Sequence, residues 1–293
     1  MPDRNSADSS DTTGYTDEPP DTPFRLAFGG YVGALVASFV AVVAALTDAS
    51  SVAILGTVAA GFSSGCLVGI ALAGRVRGLA VRSGRTRRRR AAVVLLAAPF
   101  GTAVIASLLV PLESRFVLVA LISTVAVAVT GSLLGWSAQT RYVDAITGDE
   151  PVTAWRWDPP STPILDAVVL ALWLLLSAGN ASAGDWTASI VWIGLAILWA
   201  CSGLAEGRWR VGPLGDTPEV RVHDAGLVMQ RPYTRSIVLW TDVSHVRLRE
   251  NELVLDRGLF DVRFDRDELA DLEDALTEIE RRLPNDASLV STQ

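Results

Sequence analysis

Apolar residues run in long unbroken stretches up to about residue 206, then give way to short alternating pairs for the rest of the chain. A helix needs about 20 apolar residues to cross the hydrocarbon layer, because every backbone polar group must be satisfied within the segment. Four stretches meet that length without a charged residue: 27–46, 52–73, 91–110 and 116–135. Two shorter ones, 164–178 and 188–204, complete a predicted set of six transmembrane helices, with Asp166 near the start of the first. Beyond Glu206 the period becomes two. Val220/Val222, Leu227/Met229, Ile237/Leu239, Val246/Leu248, Leu253/Leu255 and Val262/Phe264 predict six strands, separated by turn signals such as Asp224-Ala-Gly226 and Arg231-Pro-Tyr233. The spacing turns helical at Leu269, Leu272, Leu276, Ile279 and Leu283, which predicts a helix over 267–283, capped by Asp265 with Glu268 and stopped by Pro284.

The expected architecture is therefore a multi-pass α-helical membrane protein carrying a small C-terminal α+β unit. Residues 1–23 form an acidic tail too polar to bury a face, 24–206 the membrane helices, and 207–293 the soluble unit. The tail is not a secretory signal, since no basic start feeds directly into its apolar run.

Composition sharpens this picture. Half of the 293 residues are hydrophobic, and the mean hydropathy of +0.35 exceeds what a water-exposed surface accommodates. Charge is segregated: residues 1–24 hold six acids and one arginine, 207–293 seventeen acids and twelve arginines, and the span between them nine acids and twelve arginines. Eight of those twelve fall within 75–90, so the positive-inside rule makes that segment a cytoplasmic loop. Alternation across six spans then puts both termini in the cytoplasm and the chain in the cell membrane. A glycosylation sequon at Asn180-Ala-Ser182 in an outer loop agrees, as do Trp136, Trp186 and Trp209 near interfaces. All 25 basic residues are arginine. An acidic, lysine-free composition of this kind resembles proteins of salt-loving archaea, which bears on habitat rather than function.

Gly61, Gly65 and Gly69 stand four apart in the second span, aligning three missing side chains on one face. Packing inside the monomer, a self-association face and a glycine-lined pore are the three uses of such a face. Arg87, Arg88, Arg89 and Arg90 set topology and can touch anionic lipid head groups; nucleic-acid binding is not expected of them. Asp166 is the one charged residue inside a span, with no acid, histidine or arginine at membrane depth to pair with it, and is expected at the interface. Cys66 and Cys201 lie alone in apolar segments, as small packing residues do. His223 and His245 have no metal-like or nucleophile spacing around them and are expected on the surface or in turns. No HExxH, Walker-type or Rossmann-type pattern occurs. No catalytic, cofactor or metal site is expected.

Residues 219–283 resemble the small prokaryotic PH-like domains that are often attached to membrane helices. The resemblance rests on an opening strand, the turn Asp224-Ala-Gly-Leu227, the stretch 237–248 with Trp240, Asp242, Val243 and Val246, a further hairpin and the closing helix. It implies a small bent antiparallel sheet closed by one helix, with Trp240 as a core anchor. PH domains that grip phosphoinositides use clustered Lys and Arg in the first hairpin. Here that region offers Arg221, Arg231 and Arg235 in a unit of net charge −5, twelve arginines against seventeen acids, so head-group binding is not expected. The expected role is a membrane-anchored interaction or regulatory module that lies in the lipid bilayer and meets a protein partner or a second copy of itself. The alternative is a small-solute transporter or channel lined by Ser63, Ser64, Thr102, Ser107, Ser123, Thr124 and Thr130.

Overall fold

The computed structural model describes residues 22–47, 49–209, 216–258, 261–269 and 271–283. The acidic tail lies outside these residues except for Thr22 and Pro23, which open the first helix. Five helices are long and apolar enough to cross a membrane, and a bent helix pair makes up to six. The chain is thus a multi-pass membrane protein followed by an antiparallel sheet unit and a final helix.

Helices α1 (Thr22–Leu46) and α2 (Ser51–Arg75) form an antiparallel pair, with Ser50 capping α2 through the Ala53 amide at 3.3 Å. Their contact depends on missing side chains. A methyl added to Gly65 would stand 2.8 Å from Gly33 Cα, and one added to Gly69 would stand 2.8 Å from Gly29 Cα. Lipid tails are as apolar as leucine, so cohesion here comes from close backbone approach rather than from expelling water.

The arginine-rich segment is not an open loop. Gly78, at φ 68°, turns the chain into α3 (Leu79–Gly84), and α4 (Arg87–Leu95) starts at the first of the four consecutive arginines. The predicted third span is broken as well: α4 and α5 (Ala98–Ala106) meet at 48°. Pro99, in the first turn of α5, supplies no N–H to the turn before it and stops α4 from continuing. At the break the Ala97 amide bonds the Val94 carbonyl at 3.0 Å, one residue short of the helical partner. The Val93 carbonyl so released accepts the Tyr31 hydroxyl of α1 at 2.8 Å.

Helix α6 (Ser114–Ile146) has 33 residues, a length of about 50 Å against a hydrocarbon layer of about 30 Å. Its final turns therefore stand outside the lipid. Helices α7 (Pro163–Ser182) and α8 (Trp186–Ala205) form a hairpin turned by Gly184 at φ 81°, with Asp185 capping α8. Inside the hairpin Ser177 and Ser189 bond at 3.0 Å, and Trp173 meets Trp199 edge to face.

The sheet unit has one strand more than the sequence pattern predicts. Strand β1 (Thr153–Arg156) lies between α6 and α7 and pairs with β2 (Glu219–His223), Trp155 opposite Val220. The unit therefore draws on residues outside 207–293. Strands β3 (Gly226–Gln230) and β4 (Arg235–Leu239) complete the first sheet, in the order β1-β2-β3-β4. A 3-10 turn at Trp240–Asp242 leads to the second sheet, β5 (His245–Arg249), β6 (Glu252–Asp256) and β7 (Val262–Asp265). All pairings are antiparallel. Helix α9 (Leu272–Arg282) closes a core that includes Trp157, Leu227, Trp240, Leu255 and Phe264. It starts five residues later than its leucine spacing predicts. Asp271, not Asp265, caps it, accepting the Asp274 amide at 3.0 Å. Leu269 instead bridges to Trp157, and Asp265 anchors a tight turn through the Glu268 amide at 2.9 Å. Pro284 lies outside the described residues.

Candidate functional site at the junction of bundle and sheets

The elements meet where α6 leaves the lipid. Two turns of α6 beyond Trp136 present Thr140 and Asp144 to the start of β4: the Arg235 amide donates to Thr140 Oγ1 at 3.2 Å, and Arg235 Nη1 reaches Asp144 Oδ1 at 2.6 Å. A second branch of the same guanidinium lies 3.3 Å from Asp216. Burial lowers the basicity of Arg235, but the Asp144 and Asp216 carboxylates more than offset this and its pKa is raised. Arg231, half-buried over the Trp157 ring at 5.4 Å, is shifted down by desolvation.

The foot of the α7–α8 hairpin holds the second contact set. Gly207, at φ 78°, lets the chain leave α8 against the β3–β4 turn; a methyl there would stand 2.9 Å from Pro232 Cδ. Thr234 donates its hydroxyl to the Ala205 carbonyl at 2.5 Å. Arg208 reaches back to Asp166 in the first turn of α7 at 2.6 Å, lies 3.0 Å from Glu206, and stacks 4.5 Å over the Trp199 ring. The Asp166 side chain is 2 % exposed and that of Arg208 15 %. Asp166 lies in the first turn of α7, and the expectation that it has no partner is corrected by Arg208. In an antiparallel hairpin the start of one helix lies beside the end of the other, which delivers Arg208 to it. A cavity of about 530 Å³, walled by Trp136, Thr140, Arg141, Cys201 and Tyr233, opens between these contact sets.

His223 is the second correction. It is buried at the end of β2, 5 % exposed, rather than lying on the surface. Its Nδ1 is 3.3 Å from Asp149 in the α6–β1 connection, and Asp149 also accepts the Asp224 amide at 3.1 Å. Burial pushes the Asp149 carboxyl up, but the Asp224 amide and the His223 ring outweigh it and its pKa is lowered. The Trp240 indole, 7 % exposed, donates to the His223 carbonyl at 3.0 Å. His245 is half-exposed in β5, 3.2 Å from Asp256.

The remaining sequence-picked residues fall in the bundle. Gly61, Gly65 and Gly69 are all in the α1–α2 seam. Arg87 and Arg90 face α6, Arg88 is exposed, and Arg89 donates to the Arg82 carbonyl at 2.8 Å. Cys66 and Cys201 are free thiols. Among the described residues no cluster of His, Cys, Asp and Glu is arranged to hold a metal ion. No protein-family model, curated protein or solved structure matches the chain.

Proposed function

We propose that the chain is a membrane-anchored interaction or regulatory protein that presents a PH-like domain on the cytoplasmic side of its helices. One observation carries the reading: the sheet unit is built into the bundle. Strand β1 precedes α7 and β2 follows α8, so a transmembrane hairpin connects the first two strands of one sheet. A partner that shifts the sheets must therefore move the hairpin, and the Arg235–Asp144 contact ties the same sheet to α6. Seven antiparallel strands in sheets of four and three, followed by one helix, support the PH-like assignment.

The state of the arginines favours a protein partner over a lipid head group as the domain's ligand. PH domains that hold phosphoinositides do so with clustered cations in the first hairpin, and here the candidate cations of that region are already engaged. Arg221 is bound to Glu219 at 2.9 Å, Arg231 stacks over Trp157, and Arg235 holds Asp144. The bundle interior gives a solute path little to work with. Thr102, Ser107, Thr124 and Thr130 return their hydroxyls to carbonyls of their own helices at 2.6–2.8 Å. The arginine-rich segment lies on the same side as the sheets, since Gly84 packs on the Ala138 carbonyl of α6, and this supports the cytoplasmic orientation.

Photo-crosslinking side chains at the exposed positions Arg247, Arg249 and Glu250, used in native membranes, test the reading. A discrete adduct of reproducible mass is expected. Failure at every position with the protein folded, or solute flux through vesicles holding the purified chain, would count against it.

A further inference from the structure

A hydroxyl in a membrane helix commonly bonds back to a carbonyl of its own helix. Thr57, Ser64, Thr124, Thr130 and Ser132 do so at 2.7–3.1 Å. Ser38 of α1 and Ser123 of α6 do not: they are 5 % and 3 % exposed, and among the described residues neither hydroxyl has a hydrogen-bond partner. Both line one cavity of about 710 Å³ that α1 floors and α2 and α6 flank. Ala34, Ala37 and Ala41 leave the room for it, and Leu55 and Ile122, 72 % and 48 % exposed, mark its side toward the lipid. The two serines lie at one depth. Arg115 opens α6 and donates to the Ala49 carbonyl just past the end of α1, while a methyl on Gly131, further along α6, would stand 3.4 Å from the Tyr31 ring. The two helices are therefore antiparallel. Ser38 is seven residues from Tyr31 and Ser123 eight residues from Gly131, both away from the sheet unit, which is about 11 and 12 Å. Counted from Arg115, Ser123 is about 12 Å inward, near the middle of a hydrocarbon layer about 30 Å thick.

We propose that this cavity binds a neutral lipophile through a carbonyl oxygen that accepts from Ser38 and Ser123. A buried hydroxyl without a partner is costly, and at this depth no bulk water takes it up. A largely apolar wall with a few polar groups at one level is what a small-molecule site offers, and the volume falls within the range of such sites. A carbonyl oxygen has two lone pairs, so one ligand atom satisfies both serines. The depth sets the class. Head groups and ester carbonyls of bilayer lipids lie at the edge of the hydrocarbon layer, whereas an oxygen at the level of Ser38 belongs to a molecule submerged whole. A charged group at that level is costly, which leaves neutral ketones and quinones that enter sideways from the lipid. The site does not depend on what the sheet unit binds.

The test uses the full chain in phosphatidylcholine proteoliposomes and hexylbenzophenone, a lipophilic ketone that inserts into neighbouring C–H bonds on irradiation. Peptide mass spectrometry is expected to place the label on α1 and α6 beside Ser38 and Ser123. Two competitors then isolate the oxygen: a symmetric dialkyl ketone and the alkane of the same length. The ketone should displace the probe at a mole fraction roughly thirtyfold below that of the alkane, as two hydrogen bonds predict. In S38A/S123A the two should compete alike. Without any probe, S38A/S123A should be no less stable to heat than the parent, because it loses two hydroxyls that bond nothing. A clear loss of stability would mean that the serines serve the protein itself, and would overturn the site. Equal competition by ketone and alkane in the parent would mean that ordinary lipid chains fill the groove, and overturns it as well. So does a ketone preference that survives in S38A/S123A, or label spread evenly over the lipid-facing residues.

Discussion

The α1–α2 seam and the foot of the α7–α8 hairpin both hold helices to their neighbours, by opposite means. In the seam the fit rests on hydrogen atoms where side chains would be: Gly33 against Gly65, Gly29 against Gly69. At the foot, the Arg208 guanidinium lies 2.6 Å from the Asp166 carboxylate and 4.5 Å over the Trp199 indole, and it ties the last residues of the hairpin to its first turn. The difference follows the surrounding medium. Deep in lipid a charge is costly and shape must suffice. At the lipid's edge, charges pair usefully because the pair is sheltered while water remains close enough to limit the desolvation cost.

The sharpest way to break this contrast is to remove one partner at the foot. Arg208→Gln leaves the nearly inaccessible Asp166 carboxylate without its cation, and the expected cost is roughly 3–5 kcal/mol. Asp166→Asn should cost less, since Arg208 keeps Glu206 and the Trp199 ring. Thermal unfolding in nanodiscs reads both, and equal losses would mean that the pair carries no special burden on the acid. In the seam, Gly65→Leu must push apart two backbones and is expected to cost roughly 3 kcal/mol. Gly56→Leu, where an added Cβ meets nothing within 4 Å, should change stability by no more than about 0.5 kcal/mol.

Legibility in the sequence follows the same division. Features set by one helix with lipid were visible: five spans appear near their predicted places because length and apolarity alone define them, and the glycine spacing marked a face. Features that need two distant segments were not. Pro99 stood in plain view, yet the average apolarity of 91–110 hid the break it causes. Strand β1 is four residues long, and its partner β2 lies beyond two membrane helices; the alternation of Trp155 and Trp157 was its only trace. His223 looks like a turn residue until Asp149 arrives from the α6–β1 connection to cover it. The Asp166–Arg208 pair could have been anticipated by laying 163–182 and 186–205 against each other as a hairpin. Asp271 escaped notice because the leucine spacing runs on smoothly past the real helix start.

Two smaller tests sharpen the contrast within the bundle and at its edge. Tyr31→Phe removes the donor to the Val93 carbonyl at the α4–α5 break, leaving an acceptor unsatisfied where water is scarce; the expected cost is about 1–2 kcal/mol. Unchanged stability would mean that another group caps that carbonyl. At the edge, Arg235→Gln and Asp144→Asn in a double-mutant cycle should give a coupling of about 0.5–1 kcal/mol, since both side chains are partly exposed.

The weakest expected effect is a pH response in the sheet domain, and its sign follows from Asp149. Its folded-state pKa lies below the ordinary value because the Asp224 amide and the His223 ring outweigh the opposing effect of burial. A depressed carboxyl stabilises the folded state fully above its unfolded value of about 3.9, and the contribution is lost as pH falls through the folded value. Acidification from pH 5 should therefore loosen the contact between the α6–β1 connection and β2, and Trp240, bonded to the His223 carbonyl, is placed to sense it. Other carboxylates titrate in the same range, Asp256 among them, held low chiefly by the Gly258 amide. The informative quantity is thus the difference between the parent and Asp149→Asn. The parent should lose more stability on acidification than the variant, read from indole fluorescence during thermal unfolding. Parallel pH profiles would mean that the carboxylate gains nothing from the folded state, and that shape and packing hold this connection as they hold the glycine seam.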